Sequence, residues 1–475
     1  MNKMTLTAAC LLLAVASAHA DDIEVQAVRT YAPGPDELGL ISDDRTGGFI
    51  LHGITKLDQQ SRRYWIRRWK EDFSRDWLTT VESEYPTRAI DFFTPTNNGY
   101  LLGTRHITQD EKTLAAEHPD ENRVQISMRA SRSFIERISR LDDQGHTQST
   151  ISLALLGNSI QCATEVPEGF VVSGWKYVRI DDILSTEGPV ERTVPWILRT
   201  DSTGKVLWEY TFRGDDKVLL GFAWDVAKRS CDRQLVPTGN GEVVAVFNGY
   251  AEAVGKTREG RRSLEPVKSS RATPARGNVV VRLDPHGKEL ARWTTPGTAN
   301  ESYLFSIGDR YVLIENYEPD IPEWLRNRVA NPVTPLDLYA ALGAARLALA
   351  ANPAGVRYVE LDADLKLIRE VRSPAADAGE ALRGVVPDGR GGYYIAGCGV
   401  ASGVSVGHID TQGRLGSLQK VNPRSMISCR AAGLVSTTKA GGAAVFVDNL
   451  DDLFGSPTTY TVYAVKRRDT DKRPD

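Results

Sequence analysis

The chain has 475 residues with 58 Lys or Arg against 61 Asp or Glu, so its formal net charge at neutral pH is only −3. This balance argues against nucleic-acid binding through overall charge, and the hydrophobic content of 41% excludes a disordered protein. With five Cys and seven His, neither a disulfide-rich miniature scaffold nor a histidine-rich metal tract fits the composition.

The first 20 residues have the pattern of a secretory signal peptide. Lys3 supplies a positive start, residues 5–16 form an apolar run, and residues 18–20 read Ala-His-Ala, with small residues where signal peptidase cleaves. The run is too short for a membrane span. We predict cleavage after Ala20 and a periplasmic or secreted protein without a transmembrane anchor. A lipoprotein modified at Cys10 is the weaker alternative, because the residues before that cysteine match such a site poorly.

One short sequence motif, which we call a phrase, recurs seven times along the rest of the chain. It consists of a turn, usually with Gly, followed by an apolar strand, at residues 47–51, 98–102, 168–172, 241–245, 309–313, 391–395 and 441–445. Because a fixed repeat of this kind marks a modular architecture, it sets the frame for the other patterns.

A second phrase follows each copy of the first and contains a strand, an Asp- or Gly-containing turn and another strand. Its copies lie at residues 64–78, 135–148, 196–208, 279–293, 358–371 and 406–418, while the last copy, 460–466, has no partner strand after it. Each unit therefore contains four strands joined by tight turns. Seven such units predict an all-β fold, a seven-bladed β-propeller of four-stranded antiparallel blades.

The two ends of the chain indicate how the ring closes. The seventh unit ends at about Arg467 after three strands, and residues 23–30 alternate like a strand ahead of the first unit. We predict that this N-terminal strand completes the last blade, which removes an open sheet edge. The predicted organisation is a signal peptide at 1–20, one propeller domain at 21–467 and a charged tail at 468–475.

Residues 198–209 (LRTDSTGKVLWE) carry a resemblance to a known family. This strand–turn–strand segment resembles the signature of the PQQ-like, or quinoprotein-like, propellers, and the resemblance implies that Trp208 docks between blades. In that group the cofactor enzymes usually have eight blades, an acidic calcium site and adjacent cysteines. None of these is evident here, so the resemblance implies the fold and no cofactor.

Four long inserts are predicted to emerge on one face of the ring, at residues 105–130, 176–195, 250–277 and 318–355. Long loops of this length are uncommon without a function, although tolerated drift would also produce them. The last insert contains a predicted amphipathic helix over 335–350, with Leu338, Leu342 and Arg346 as candidates for partner binding. Packing of this helix on its own domain is the alternative.

The remaining candidate residues lie where second strands end, near the expected mouth of the channel. His106 with the adjacent Arg105, together with Trp175, Trp224 and Asp225, are the binding-face candidates. His52 and Asp91 lie at similar positions. A single histidine at such a position is more often a hydrogen-bonded structural residue. No catalytic motif and no metal-ligand spacing is present.

Four cysteines remain after the signal peptide: Cys162, Cys231, Cys398 and Cys429. The first two are predicted on inner strands of neighbouring blades, and the other two on blades six and seven. We predict the disulfides Cys162–Cys231 and Cys398–Cys429, one of three possible connectivities. Four buried thiols are the alternative, and a zinc site is disfavoured because no C-x-x-C pair exists.

These observations leave two functional hypotheses. The first is an exported, non-enzymatic binding protein that engages a protein partner with its insert-bearing face; an inhibitor or immunity protein against an exported toxin would fit this description. The second is a propeller enzyme, such as a lyase, lactonase or quinoprotein-like enzyme, with a site at the channel mouth. Nucleic acid is not an expected partner, because the basic segment 256–276 contains no aromatic residue for base stacking.

Overall fold

The repeated unit of the sequence forms a four-stranded antiparallel sheet, and seven of these sheets make the ring of an all-β propeller. The predicted fold class is therefore confirmed. The computed structural model describes residues 23–31, 36–43, 48–56, 62–72, 74–81, 87–109, 111–122, 126, 133–153, 159–180, 190–212, 218–220, 234–253, 276–295, 299–317, 340, 344, 354–375, 381–399, 403–422, 433–437, 442–449 and 459–467.

The strands follow the chain in blade order, and the N-terminal strand is β1 (Ile23–Tyr31). Blade 1 contains β2 (Asp36–Asp43), β3 (Phe49–Lys56), β4 (Arg62–Trp69) and β5 (Arg75–Thr80). Blade 2 contains β6 (Thr87–Thr96), β7 (Gly99–Ile107), β8 (Phe134–Leu141) and β9 (Thr147–Leu153). Blade 3 contains β10 (Ser159–Val166), β11 (Gly169–Ile180), β12 (Val190–Asp201) and β13 (Val206–Thr211).

The other four blades continue in the same way. Blade 4 contains β14 (Val218–Leu220), β15 (Leu235–Pro237), β16 (Val243–Ala253), β17 (Arg276–Leu283) and β18 (Glu289–Thr294). Blade 5 contains β19 (Ala299–Ile307), β20 (Arg310–Tyr317), β21 (Gly355–Leu361) and β22 (Leu367–Pro374). Blade 6 contains β23 (Ala381–Pro387), β24 (Tyr393–Gly399), β25 (Gly403–Ile409) and β26 (Gln419–Asn422). Blade 7 contains β27 (Gly433–Thr437), β28 (Gly442–Asn449) and β29 (Thr459–Arg467).

The ring closes as predicted, because β1 is the outer strand of blade 7. It pairs antiparallel with β29, from Ile23 opposite Arg467 to Tyr31 opposite Tyr460. The inner strands contact one another in cyclic order, and β2 of blade 1 contacts β27 of blade 7. The chain terminus thus supplies the strand that the seventh repeat lacks.

Consecutive strands of a blade run in opposite directions, so the connections between them fall on two different faces of the ring. We call the side with residues 97–98, 167–168, 238–242, 308–309 and 388–392 the turn face, because tight turns join first to second strands there. We call the opposite side, where residues 108–133, 181–189, 254–275 and 318–354 join second to third strands, the loop face. The long connections fall on one face, as expected from the sequence.

Two of the predicted inserts are shorter than expected. Residues 176–195 were expected to be a loop, but β11 and β12 pair continuously from Gly169 opposite Asp201 to Ile180 opposite Val190. Likewise, β16 and β17 extend into the predicted insert 250–277. In the first of these places the strand residues are rich in β-branched and aromatic types, which favour continued pairing over a loop.

Helices are found only in the loop-face connections among the described residues. A short helix, α1 (Glu111–Glu117), lies between β7 and β8 and was not expected from the sequence. Within the predicted helix 335–350, Ala340 and Ala344 are helical. The candidates Leu338, Leu342 and Arg346 lie outside the described residues.

The hydrophobic core lies between the blades. The described core residues form seven clusters, one for each pair of neighbouring blades around the ring. Blades 2 and 3, for example, bury Phe92, Leu101, Phe170 and Trp196 against each other. Each such side chain contributes about 1.5–3 kcal/mol by leaving water, so blade-to-blade packing holds the ring together.

The turns between third and fourth strands repeat one hydrogen-bond pattern. An Asp Oδ1 accepts the backbone N–H groups two and four residues later, at Asp142, Asp201, Asp284, Asp362 and Asp410. The residue three positions after the Asp has positive φ, for example Gly287 at 83°, a conformation that favours glycine. This local chemistry explains why the Asp–Gly phrase recurs.

Trp208 docks onto the neighbouring blade, as the resemblance implied. Its Nε1 donates a 2.7 Å hydrogen bond to the carbonyl of Pro285 in blade 4. The ring lies so close to the turn that a Cβ at Gly287 would be 2.6 Å from it. The turn sequence therefore has two roles, since it closes a hairpin and receives the tryptophan of the preceding blade.

Candidate functional site

Several inner strands contain a β-bulge toward their loop-face end. The extra residue is Asp91 in β6, Gln161 in β10 and Arg383 in β23, each opposite an equivalent position of the second strand. A bulge redirects the side chain of the extra residue and is common next to functional sites. The bulges therefore favour a functional site at the loop-face ends of the clefts between blades.

In blade 2 the bulge residue belongs to a charged cluster formed by Asp91, Arg105 and Glu136. Arg105 Nη2 lies 3.1 Å from Asp91 Oδ1, and Arg105 Nε donates to Glu136 Oε1 at 2.9 Å. The guanidinium also lies 4.8 Å from the centre of the Phe134 ring. One cation therefore links three strands of the blade and neutralises part of the charge of two carboxyls.

Glu136 is the most unusual member of this cluster, because only 1% of its side chain is exposed. Burial raises its pKa well above the usual range, the neighbouring Asp91 raises it further, and Arg105 opposes both effects. Because solvent does not reach Glu136, the cluster is placed to hold strands together more than to act on a ligand.

His106 follows Arg105 in β7 but points into a different environment. Its side chain is buried, and its Nε2 lies 2.8 Å from Thr104 Oγ1 on the same face of the strand. His52 is also buried, and loss of solvent lowers its pKa to about 3, so it is neutral at physiological pH. Burial and the contact with Thr104 give His106 the surroundings of a hydrogen-bonded structural residue, and its role on a binding face stays a prediction.

The cleft between blades 3 and 4 contains a pocket, and Trp175 is part of its wall. Gln161, Ser173 and Gln234 supply its polar groups, while Trp175 and Phe247 supply apolar surface. The empty space of the pocket, including the part that is open to solvent, is about 400 Å³, and it has room for water.

In blade 4, two described inner strands pair with β16. β14 pairs with residues 251–253 and β15 pairs with residues 243–245. The backbone N–H of Val246 donates to the carbonyl of Gln234 at 3.0 Å, which continues the contact of β15 with β16 beside the pocket.

A second buried charge pair lies between blades 4 and 5. Arg357 Nε is 2.6 Å from Glu315 Oε1, and the two side chains are 1% and 0% exposed. Asn278 Nδ2 donates to Glu315 Oε2 at 2.6 Å, and Thr295 Oγ1 donates to the same oxygen at 3.0 Å. Burial raises the pKa of Glu315, and Arg357 opposes this shift.

On the turn face, blade 6 has a buried acid–imidazole pair. His408 Nε2 lies 2.8 Å from Asp388 Oδ2, and Asp388 Oδ1 accepts the N–H groups of Arg390 and Gly392. Burial opposes ionisation of Asp388, but these hydrogen bonds outweigh it and lower its pKa. Neither side chain is exposed beyond 4%, so the pair fixes the turn against β25.

Cys162 is disulfide-bonded and lies on inner strand β10, the position expected from the sequence. Its Sγ is 3.8 Å from Gln234 Oε1, beside the pocket. Cys231 and Cys429 lie outside the described residues, and Cys398 is on β24. The two pairings therefore remain predictions, as do the roles of Trp224 and Asp225, which also lie outside the described residues.

The sequence interpretation identified Asp91 and Arg105 but missed Glu136, Gln161 and Glu315. A signal for Glu136 was present, because alternation along β8 puts it on the same face as the buried Phe134 and Ile138. No comparable signal exists for Gln161, since a bulge depends on pairing between strands and not on the local sequence.

Within the described residues, no group of three or more His, Cys, Asp or Glu side chains is arranged to hold a metal ion. No helix in this part of the chain has both the length and the apolar character needed to cross a membrane.

Comparisons with known proteins give similarity at the level of structure. No family model matches the chain, and no curated protein matches it in sequence. A Dyadobacter fermentans protein of unknown function is similar over 94% of this chain and 99% of its own, with 11% identity and a TM-score of 0.44. A Trypanosoma rangeli sialidase is similar over 90% of this chain and 54% of its own, with 9% identity and a TM-score of 0.36. An apocarotenoid oxygenase of Synechocystis is similar over 70% of this chain and 62% of its own, with 11% identity and a TM-score of 0.34.

Proposed function

We propose that this protein is an exported, non-enzymatic binding protein that engages a protein partner through the loop face of its propeller. The observation that carries the proposal is the distribution of connection lengths. Residues 108–133, 254–275 and 318–354 all join second to third strands and leave the ring on the loop face, whereas residues 97–98 and 308–309 on the turn face are tight turns. Loops longer than about 12–15 residues are uncommon without a function, so their concentration on one side favours a binding surface there.

The chemistry at the loop-face ends of the blades also supports binding over catalysis. The charges of the Asp91, Arg105 and Glu136 cluster are used to link strands, and Glu315 is enclosed with Arg357. The described residues that line the pocket beside Trp175 include no carboxylate and no histidine, the side chains that most often act as a general acid or base. This arrangement would suit an inhibitor or immunity protein that binds an exported toxin.

We also propose a relationship to the quinoprotein-like propellers, and this relationship is limited to the fold. The contact of Trp208 with the next blade supports it. We expect no quinone chemistry, since the resemblance extends to a strand–turn–strand phrase and to no ligand site.

Export is tested by determining the N-terminus of the protein recovered from the periplasm or medium. We expect the chain to begin at Asp21, because the signal sequence ends with a small residue at position 20. Recovery of a chain that retains residues 1–20 from the cytoplasm would contradict the proposed location.

The partner is tested by affinity capture from periplasmic extract with the mature protein and a variant that lacks residues 318–354. Tyr317 and Gly355 are directly paired, so a two-residue Asn-Gly turn can close this hairpin without disturbing β20 or β21. The matched control is Lys205→Glu with Lys366→Glu on the turn face, where we expect no loss of the partner. Partners that both variants retain equally would contradict the assignment of this insert to the binding surface.

A further inference from the structure

We propose that two copies of this chain pair through the outer rim of blades 3, 4 and 5, where the rim meets the turn face. The surface consists of five aliphatic side chains that are each between 47% and 52% exposed, and we call it the aliphatic rim: Val206, Leu207, Leu290, Leu367 and Ile368. The proposal goes beyond the protein partner of the loop face and does not depend on it, because the residues that carry it lie on the outer strands β13, β18 and β22.

A repeated β-bulge places an aliphatic side chain at the same position of the three blades. In β13, β18 and β22 the pairing with the third strand skips one residue, and the skipped residues are Leu207, Leu290 and Ile368. Each of them lies six residues after the Asp that begins the preceding turn. The extra residue of a bulge stays outside the ladder, so the same local geometry presents all three side chains to solvent.

The aliphatic residue is a property of blades 3 to 5 and not of the fold. β9 of blade 2 has the same bulge, but its extra residue is the exposed Gln148. In blade 6, the position six residues after Asp410 is Gly416. A polar or small residue therefore suits this position when it faces water, and three consecutive aliphatic residues there lose stability unless another surface covers them.

The aliphatic rim is poorly suited to the addition of a strand from another molecule. Exposed lysines stand directly ahead of the three strands, at Lys205, Lys288 and Lys366, and the bulges interrupt the strand edges. Lysines and bulges are two means by which proteins prevent pairing between sheet edges. The occupant therefore meets the side chains of the rim and not its backbone.

The order of the aliphatic residues matches a second copy of the same surface. Blade 3 supplies Val206 and Leu207, blade 4 supplies Leu290, and blade 5 supplies Leu367 and Ile368. This two–one–two order is symmetric about blade 4, and a two-fold dimer requires a patch that is complementary to itself. An axis through blade 4 would set Leu290 against its own copy and the blade 3 residues against the blade 5 residues of the other copy.

The shape of the ring allows the three contacts to form together. Equivalent positions of the blades lie in one plane around the axis of a propeller, and the described connections of the turn face are tight turns. Two rings can therefore meet with their turn faces towards each other. Such a pair leaves the loop faces of both copies exposed on opposite sides.

Hydrogen bonds between blades fix the rim before it meets a second copy. Trp208 Nε1 of blade 3 donates to the carbonyl of Pro285 in blade 4 at 2.7 Å. Arg282 of blade 4 donates in the same way to the carbonyl of Ala363 in the outer turn of blade 5. Because the three blades are already held in position, pairing requires little further ordering of the chain.

The exposed area indicates how tightly the copies would bind. A four-carbon aliphatic side chain has roughly 130 Å² of apolar surface, so the five half-exposed side chains present roughly 300 Å² per copy. With an apolar share of about 60%, this corresponds to roughly 1,000 Å² for the pair. Such an area is at the lower limit for a specific interface, so we expect a dissociation constant of about 1–100 µM.

A membrane is the other flat surface that aliphatic side chains could enter. The turn face of blade 5 has two exposed carboxylates, Asp309 and Asp364, with side chains that are 90% and 67% exposed. These charges oppose contact with an anionic lipid surface. The observations therefore favour the second copy, and lipid binding becomes an outcome of the test.

The test is sedimentation velocity of the mature protein from about 1 to about 200 µM, a range that brackets the expected dissociation constant. We expect a reversible monomer–dimer equilibrium. Leu290→Glu should remain monomeric throughout, with a dissociation constant raised at least about a hundredfold, because the axis would bring two carboxylates together. Leu207→Ser and Ile368→Ser should each raise it about tenfold, and the double variant by clearly less than about a hundredfold, because both changes remove the same contact.

The matched control is Leu78→Glu, because Leu78 is 53% exposed on the outer strand of blade 1 and lies outside the aliphatic rim; it should leave the equilibrium unchanged. Thermal melting checks that each variant is folded, and the two serine variants keep the test decisive if Leu290→Glu is not. A wild-type protein that stays monomeric, or a Leu290→Glu variant that dimerises like the wild type, would overturn the proposal. Monomeric wild type that sediments with phosphatidylglycerol vesicles, with loss of this binding in Leu290→Glu, would overturn it in favour of a lipid surface.

Discussion

Replacement of Arg357 by methionine should destabilise the protein strongly at neutral pH and only slightly in mild acid. Arg357 is the buried cation beside Glu315, at 2.6 Å, and methionine preserves much of its length while removing its charge. Without the cation, Glu315 must either stay ionised inside the protein or take up a proton. Proton uptake is the cheaper outcome, because an unpaired buried charge costs several kcal/mol.

The expected magnitude follows from the cost of that proton. The reference pKa of the Glu315 carboxyl is 4.5, so at pH 7 protonation costs about 1.36 kcal/mol for each of about 2.5 pH units, or about 3.4 kcal/mol. At pH 5 the same cost falls to about 0.7 kcal/mol. The sign is fixed because the variant binds an extra proton in the folded state, so its stability relative to wild type rises as the pH falls.

Urea unfolding followed by tryptophan fluorescence at pH 7 and pH 5 measures this difference. With an m-value of about 3 kcal/mol per M, the midpoint of Arg357→Met should fall by about 1 M at pH 7 and by about 0.2 M at pH 5. The matched control is Arg372→Met, a half-exposed arginine directly opposite Arg357 on β22, which should cost less than about 1 kcal/mol. A loss for Arg357→Met that is the same at both pH values would refute the reasoning.

Three further predictions concern other parts of the ring. Gly287→Ala should lower stability by about 1–3 kcal/mol, because the position has positive φ and its Cβ would meet a tryptophan ring at 2.6 Å; Gly239→Ala, with nothing within 4 Å of the new Cβ, should change the melting temperature little. Asp388→Asn should destabilise the protein at pH 7, and the difference from wild type should shrink as the pH falls below the reference value of 3.8, because the lowered pKa of Asp388 stabilises only its ionised form. Non-reducing peptide mapping should recover Cys162 joined to Cys231, and a Cys162 peptide joined to another cysteine would contradict the predicted pairing.

The amino-acid sequence by itself determined the number of blades, most of the hairpin turns and the closure of the ring by the N-terminal strand. These features depend on local chemistry. The Asp–Gly turn phrase specifies where a hairpin bends, and alternation specifies which strand faces are buried. Because the seventh repeat has three strands and Ile23 begins an unassigned alternating segment, closure could be predicted without knowledge of any contact.

Only the tertiary structure decided the features of the candidate site. The bulges at Asp91 and Gln161 depend on pairing with a second strand. The ion pair of Glu315 with Arg357, and its contacts with a neighbouring blade, likewise join residues that are far apart in the chain. Such contacts arise when blades pack against one another, so the local sequence patterns that specified the strands carry no record of them.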